Sequence, residues 1–190
     1  GARWRNQQTS VRATDSPWAP PEPDGRALVY LSLGSLGSAD ISLMQELVAE
    51  LADTPHRYVV SKGPQHSEYE LAENMIGAEF LPQTSVLPHV DAVITHGGNN
   101  TTTECMWFGK PMVVLPIFWD QHDNAQRVDE TGYGVRVRTY ERDAGELATA
   151  LDRVLSDEPL RARCAAAGER LRRRPGTELA ADLIEQVATS

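Results

Sequence analysis

The sequence predicts an α/β fold, a Rossmann-like parallel sheet with helices on both faces. Three observations lead there. From Arg26 onward short apolar runs alternate with segments of helical periodicity, an order that implies right-handed crossovers and a parallel sheet covered on both sides. At 190 residues the chain is long enough for one well-buried core and too short for two large domains. No repeat or low-complexity segment offers a competing architecture.

The elements follow in order. Residues 1–25 have no periodic apolar pattern and end in "DSPWAPPEPDG", whose four prolines favour an extended path with few internal contacts. This stretch reads as an interdomain linker, so a further domain is expected before it, and residues 26–190 read as one domain. "ALVYLSLG" is a buried strand, and "ISLMQELVAELA" an amphipathic helix behind the capping candidates Ser38 and Asp40. "RYVVS", "AEF", "AVITH", "MVVLP" and "GVRVR" follow as short strands. Helices are expected near residues 100–108 and 122–131, and "AGELATALDRVL", "LRARCAAAGERLRR" and "ELAADLIEQVA" form three more. The basic cluster "RLRRR" at 170–174 reads as a solvated helix face.

Composition narrows the partners. The formal net charge of −9 disfavours nucleic acid or an anionic membrane as the main partner. The most apolar segment, "MVVLPIFW", is short and interrupted by Pro116, so no membrane span is expected. Cys105 and Cys164 stand far apart in helical segments and read as two buried thiols, for which a reducing cytoplasm is the simplest compartment.

In a parallel sheet ligands bind where strand ends pass into helices, and three such loops carry unusual chemistry. "LGSLGS" at 33–38 offers Gly34 and Gly37 for close backbone approach and Ser35 as a hydroxyl; it reads equally well as a glycine turn before a helix. "HGGNNT" at 96–101 places two glycines, Asn100 and Thr101 where a helix begins, and unpaired amides at a helix start form a site for phosphate. His96 could add a hydrogen bond there or be a core residue. Glu104, one turn after Asn100, is suited to ribose hydroxyls or to plain solvent. "FWDQHDNA" at 118–125 supplies Asp120 and Gln121 for sugar hydroxyls, with Asn124 as a helix cap. Asp120, His122 and Asp123 as a metal set is the weaker reading of that loop, since no second ligand cluster has a matching spacing.

The stretch "FLPQTSVLPHVDAVITHGGNNTTTECMWFGKPMVVLPIFWDQHDNA", residues 80–125, resembles the nucleotide-sugar signature of the family 1 glycosyltransferases. "ALVYLSLGSLG" resembles the opening of that family's donor domain. The resemblance implies the carboxyl-terminal, donor-binding half of a GT-B fold. By position, Phe80 would stack on the base, with the Leu81 backbone and Gln83 at its edge. His96, Gly98, Asn99, Asn100 and Thr101, with Ser35 opposite, would hold the diphosphate; Glu104 would hold the ribose, and Asp120 and Gln121 the transferred sugar. Many relatives carry tryptophan where this chain has Phe80 and Asn99, so the base, uracil or thymine, stays open.

The reaction implied is transfer of a hexosyl group, with inversion, from a UDP- or dTDP-sugar to a small-molecule acceptor. Neither a metal nor another cofactor is expected. The catalytic base and most of the acceptor pocket belong, in this family, to the amino-terminal domain, so no catalytic residue is expected in this chain, which by itself should be inactive. Two rivals share the donor loops: a non-catalytic nucleotide-sugar binding module, and a GT-B sugar-nucleotide epimerase.

Overall fold

A computed structural model describes Val11 and residues 16–173 and 176–189. Six strands, β1 (Leu28–Ser32), β2 (Arg57–Ser61), β3 (Met75–Ala78), β4 (Ala92–Thr95), β5 (Met112–Val114) and β6 (Gly134–Arg136), form one sheet in the order β3-β2-β1-β4-β5-β6. Every pairing in it is parallel. The helices are α1 (Gly34–Gly37), α2 (Ile41–Ala52), α3 (Gln83–Val86), α4 (Asn99–Phe108), α5 (Gln121–Thr131), α6 (Glu146–Ser156), α7 (Glu158–Arg172) and α8 (Gly176–Ala188). A 3-10 turn, Leu87–His89, continues α3.

The central strands are apolar except at their ends, because both faces are covered. Val29, Leu31, Val60, Ile94 and Val113 point to one side, where Leu43, Leu47 and Leu51 of α2 and Leu147, Leu151 and Val154 of α6 pack on them. Leu28, Tyr30, Val59, Val93 and Val114 point to the other, against Val86 and Leu87, Cys105 of α4, and Ala125 and Val128 of α5. Each Val, Leu and Ile among them contributes roughly 1.5–3 kcal/mol by leaving water. Helix α2 starts where the Asp40 carboxylate accepts from the Leu43 amide at 3.0 Å. Ser38, the other capping candidate, instead ends α1 and is buried.

One strand lies elsewhere than expected. The edge strand is Met75–Ala78, not "AEF" at 78–80. Only Met75 of it is buried, so it has no apolar alternation to announce it. Gly77 is required for its pairing, because a Cβ there would stand 2.4 Å from the Val60 carbonyl oxygen.

The proline-rich stretch is described from Ser16; residues 1–10 and 12–15 of the expected linker lie outside the described residues. Residues 16–24 form no helix or strand, yet in place of few internal contacts they are tied to the domain at several points. Trp18 packs on the second core face with its ring 5.8 Å from that of His89. The Ser85 hydroxyl donates to the Ser16 carbonyl (2.8 Å), and the Arg57 guanidinium to that of Glu22 (2.7 Å). Of the basic cluster, Arg172 donates to the Trp107 carbonyl, while Arg173 sits exposed beside Glu169. Among the described residues no helix is long and apolar enough to cross a membrane.

Candidate functional site

The strand order reverses direction between β1 and β4: successive strands step one way to β3 and the other way to β6. Connections leaving β1 and β4 therefore diverge and open a crevice at the carboxyl edge of the sheet. The registers bring the three expected loops level, since Ser32 pairs with Thr95 and Thr95 with Val114. A cleft of about 370 Å³ opens there, lined by Gly34, Ser35 and Leu36, by His96 and residues 98–101, and by residues 118–121. A larger cavity, about 580 Å³, lies at the opposite edge among Arg26, Pro55, His56 and Asp91, where strands begin and no glycine loop enters a helix. The three glycine- and amide-bearing loops all stand at the carboxyl edge.

His96 leaves β4 with its imidazole between two glycines. A Cβ on Gly34 would lie 2.9 Å from the ring's Cε1, and one on Gly98 only 2.4 Å from Nε2. Gly98 has an ordinary backbone, φ −60° and ψ 146°, so the ring's space is what excludes a side chain there. Burial holds the imidazole below its usual pKa, opposed by a hydrogen bond that the ring donates to the Ser32 backbone and by the Asp120 charge. Burial thus favours the neutral ring, which has a single N–H to donate.

Helix α4 opens on Gly98 with no side-chain cap and no acid in its first turn. Its first carbonyl-bound amide is that of Thr102, which reaches the Gly98 oxygen at 2.9 Å. The amides of Asn99, Asn100 and Thr101 precede that ladder and carry the helix's partial positive charge at the cleft wall. Gly97, at φ +82°, makes the turn; a Cβ there would meet Val114 Cγ1 at 2.7 Å.

The expected base and ribose residues form an annex. Phe80 is 57% exposed, and Leu81 is partly buried against the second core face. Gln83 begins α3, and its amide donates to Glu104 at 2.5 Å and to the Thr101 hydroxyl at 3.3 Å. Gln83, Thr101 and Glu104 thus form one hydrogen-bonded chain that joins α3 to the cleft helix. None of Phe80, Leu81, Gln83 and Glu104 lines the cleft itself.

In the third loop the two sugar candidates differ. Asp120 is exposed toward the cleft, whereas Gln121 is buried. The Gln121 Oε1 accepts from the amides of Ile117 (2.9 Å) and Phe118 (3.1 Å), so toward a ligand it has only its amide N–H groups to offer. Asn124 is no cap: from the first turn of α5 its Nδ2 donates to the Gly97 carbonyl (2.9 Å) and to Asp120 Oδ2 (3.1 Å), tying two cleft loops together. That strut was not legible beforehand, although the Asp-x-x-x-Asn spacing is its trace. Among the described residues no three His, Cys, Asp or Glu side chains stand close enough to share a metal ion, so Asp120, His122 and Asp123 do not converge.

The family model described as "UDP-glucoronosyl and UDP-glucosyl transferase" matches residues 21–165. The demethyllactenocin mycarosyltransferase of Streptomyces fradiae is 32% identical over 171 residues, a match covering 88% of this chain and 37% of that protein. The NDP-glycosyltransferase YjiC of Bacillus subtilis (strain 168) is 32% identical over 168 residues, covering 86% and 43%. Among solved structures, the glycotransferase of kitacinnamycin superposes with a TM-score of 0.83 at 30% identity, over 93% of this chain and 46% of the other. The chain therefore spans less than half the length of these relatives, and its fold is that of one Rossmann-like half of a GT-B glycosyltransferase. A match that includes all three cleft loops and covers most of the sequence makes this chain a member of the UDP-glucuronosyl and UDP-glucosyl transferase family.

Proposed function

We propose that this chain is the donor-binding domain of an inverting glycosyltransferase, holding a UDP- or dTDP-linked hexose while the hexosyl group passes to a small-molecule acceptor. The observation that carries the reading is the His96 imidazole set between Gly34 and Gly98 beside the uncapped start of α4. Converging amides and a ring N–H meet a diphosphate there, with Ser35 on the facing loop. Glu104, already hydrogen-bonded to Gln83, would accept from ribose hydroxyls, and exposed Phe80 would stack on the base. Asp120 would accept from hydroxyls of the transferred sugar while Gln121 donates to them.

Negative charge grows on the diphosphate as the anomeric bond breaks, and donors fixed in place beforehand stabilise it most where it grows. That is this domain's share of catalysis. The base that takes the acceptor's proton, and most of the acceptor pocket, belong to a partner domain preceding the proline-rich stretch. Relatives named for mycarosyl transfer to demethyllactenocin and for kitacinnamycin support a small natural-product acceptor. Both thiols are free and buried, which accords with a cytoplasmic enzyme.

The test is titration calorimetry of UDP and dTDP against the chain, with and without a chelator. Dipoles and hydrogen bonds suffice for the diphosphate in this proposal, so affinity should be unchanged by the chelator. Binding that vanishes with it overturns the helix-terminus account. Sugar transfer by this chain alone, detected by mass spectrometry with a broad acceptor set, would overturn the assignment of the base to another domain.

A further inference from the structure

Trp119 lines the cleft without a part in the contacts assigned to the nucleotide, and it is the most anomalous residue there. Its backbone sits in the left-handed region at φ +55°, which among the described non-glycine residues only Glu141 shares. The strained region is costly for a bulky side chain and persists only where surrounding bonds enforce it. Those bonds are present. The Ile117 and Phe118 amides are held by the Gln121 side chain, the Gln121 amide reaches the Phe118 carbonyl at 3.3 Å, and Asn124 grips Asp120.

What the strain secures is exposure. The indole is 77% exposed, with an edge-on contact to the Phe118 ring at 4.7 Å, and it stands in the cleft wall directly before Asp120. A large apolar ring held in water beside a single carboxylate matches one kind of ligand. A pyranose has a rim of hydroxyls, which a carboxylate accepts, and a face of C–H bonds, which an aromatic ring covers while excluding water. A diphosphate seated at the start of α4 would hold its sugar within reach of this wall, since His96, Gly98, Trp119 and Asp120 line one cleft.

We propose that Trp119 is the sugar platform of the donor cleft: its indole packs on the C–H face of the transferred pyranose while Asp120 holds the hydroxyl rim, and the pair selects the sugar independently of the nucleotide. The inference rests on the donor-binding reading and adds to it a specificity-determining residue. It predicts discrimination among sugars by the apolar character of one ring face, so 6-deoxyhexoses and hexoses should be ranked by this residue.

The experiment compares bare UDP and dTDP with a panel of their hexose and 6-deoxyhexose conjugates by calorimetry, on the wild-type chain and on Trp119→Gly and Trp119→Asn. Glycine and asparagine both tolerate the left-handed backbone, so the loop is kept while the ring is removed. Expected is a loss of about tenfold in affinity for sugar-bearing donors in both variants, with less than about twofold change for the bare diphosphates. Trp119→Phe should recover part of the loss. An equal loss for bare and sugar-bearing nucleotides, or an unchanged ratio across the whole panel, overturns the platform and leaves the donor-binding reading standing. Failure of the wild-type chain to bind even the bare diphosphates overturns both.

Discussion

Adding one methyl group at Gly98 gives the sharpest test of the phosphate wall. The backbone there, at φ −60° and ψ 146°, suits alanine as well as glycine, so Gly98→Ala tests space alone. The new Cβ would lie 2.4 Å from His96 Nε2 and 2.8 Å from Cε1, about 1 Å inside ordinary contact. The imidazole must therefore move, and the Gly34 side is nearly as close, with its own Cβ position 2.9 Å from Cε1. Since the ring can turn away, the stability cost should fall at the low end of overpacking, about 1 kcal/mol. The ring cannot turn away and also keep its N–H aimed at a phosphate. A hydrogen bond to a charged group contributes about 1.5–3 kcal/mol, so nucleotide diphosphates should bind roughly ten- to hundredfold more weakly. Calorimetry with UDP and dTDP reads the loss, and a double-mutant cycle assigns it. In a His96→Ala background, which should itself lose about the same affinity, Gly98→Ala should cost almost nothing further. If the alanine weakens binding equally with and without the imidazole, the methyl is striking the phosphate or its amides, and the ring is not the intermediary.

Further outcomes follow from the same wall and its annex. Because burial holds the folded His96 pKa below its ordinary 6.5, its contribution to stability is fully present above about pH 6.5 and is lost as pH falls below that value; His96→Gln should flatten this part of the melting-temperature profile. A bound diphosphate favours the imidazolium, so binding near pH 6.5 should take up a proton that His96→Gln does not, measured by calorimetry in buffers of different ionisation heat. Glu104→Ala should cost about 1.5–3 kcal/mol with UDP and leave pyrophosphate binding unchanged, since it faces the ribose in this account; equal losses for both ligands would return Glu104 to a purely structural role beside Gln83.

Much of this architecture could be read from residue order, and the exceptions have physical causes. Helix α2 was expected at 41–52 and is found at Ile41–Ala52, because its apolar spacing and its Asp40 cap act locally. The strands β1, β2, β4 and β5 are apolar enough to announce themselves. β3 did not, since it lies at the sheet edge with one buried residue and is defined by its pairing to β2. α3 and the 3-10 turn after it are also non-local, a short "QTSVLPH" segment held by Val86 and Leu87 in the core. At the site, Ser35, His96, Gly98, Asn99, Asn100, Thr101, Asp120 and Gln121 do meet in one cleft, as their places at level strand ends implied. The orientation of Gln121 and the link from Gln83 to Glu104 were not legible, because a side-chain amide's partner depends on what the fold brings within 3 Å of it. Nor could residue order reveal a left-handed Trp119, which is a property of the turn that Gln121 and Asn124 impose.

The Asn124 amide, shared between the Gly97 carbonyl and the Asp120 carboxylate, has a consequence for how such a domain can be altered. The turn that presents backbone amides and the turn that presents the carboxylate are braced against each other through one side chain, so neither is an interchangeable part. Transplanting a new loop after β5 to change sugar preference would carry away the brace and let the Gly97 turn relax. A graft would have to bring its own donor at this position, or accept looser seating of the nucleotide along with its new choice of sugar. Grafts made with and without that asparagine should therefore differ in their grip on the bare nucleotide, a ligand that the exchanged residues need never touch.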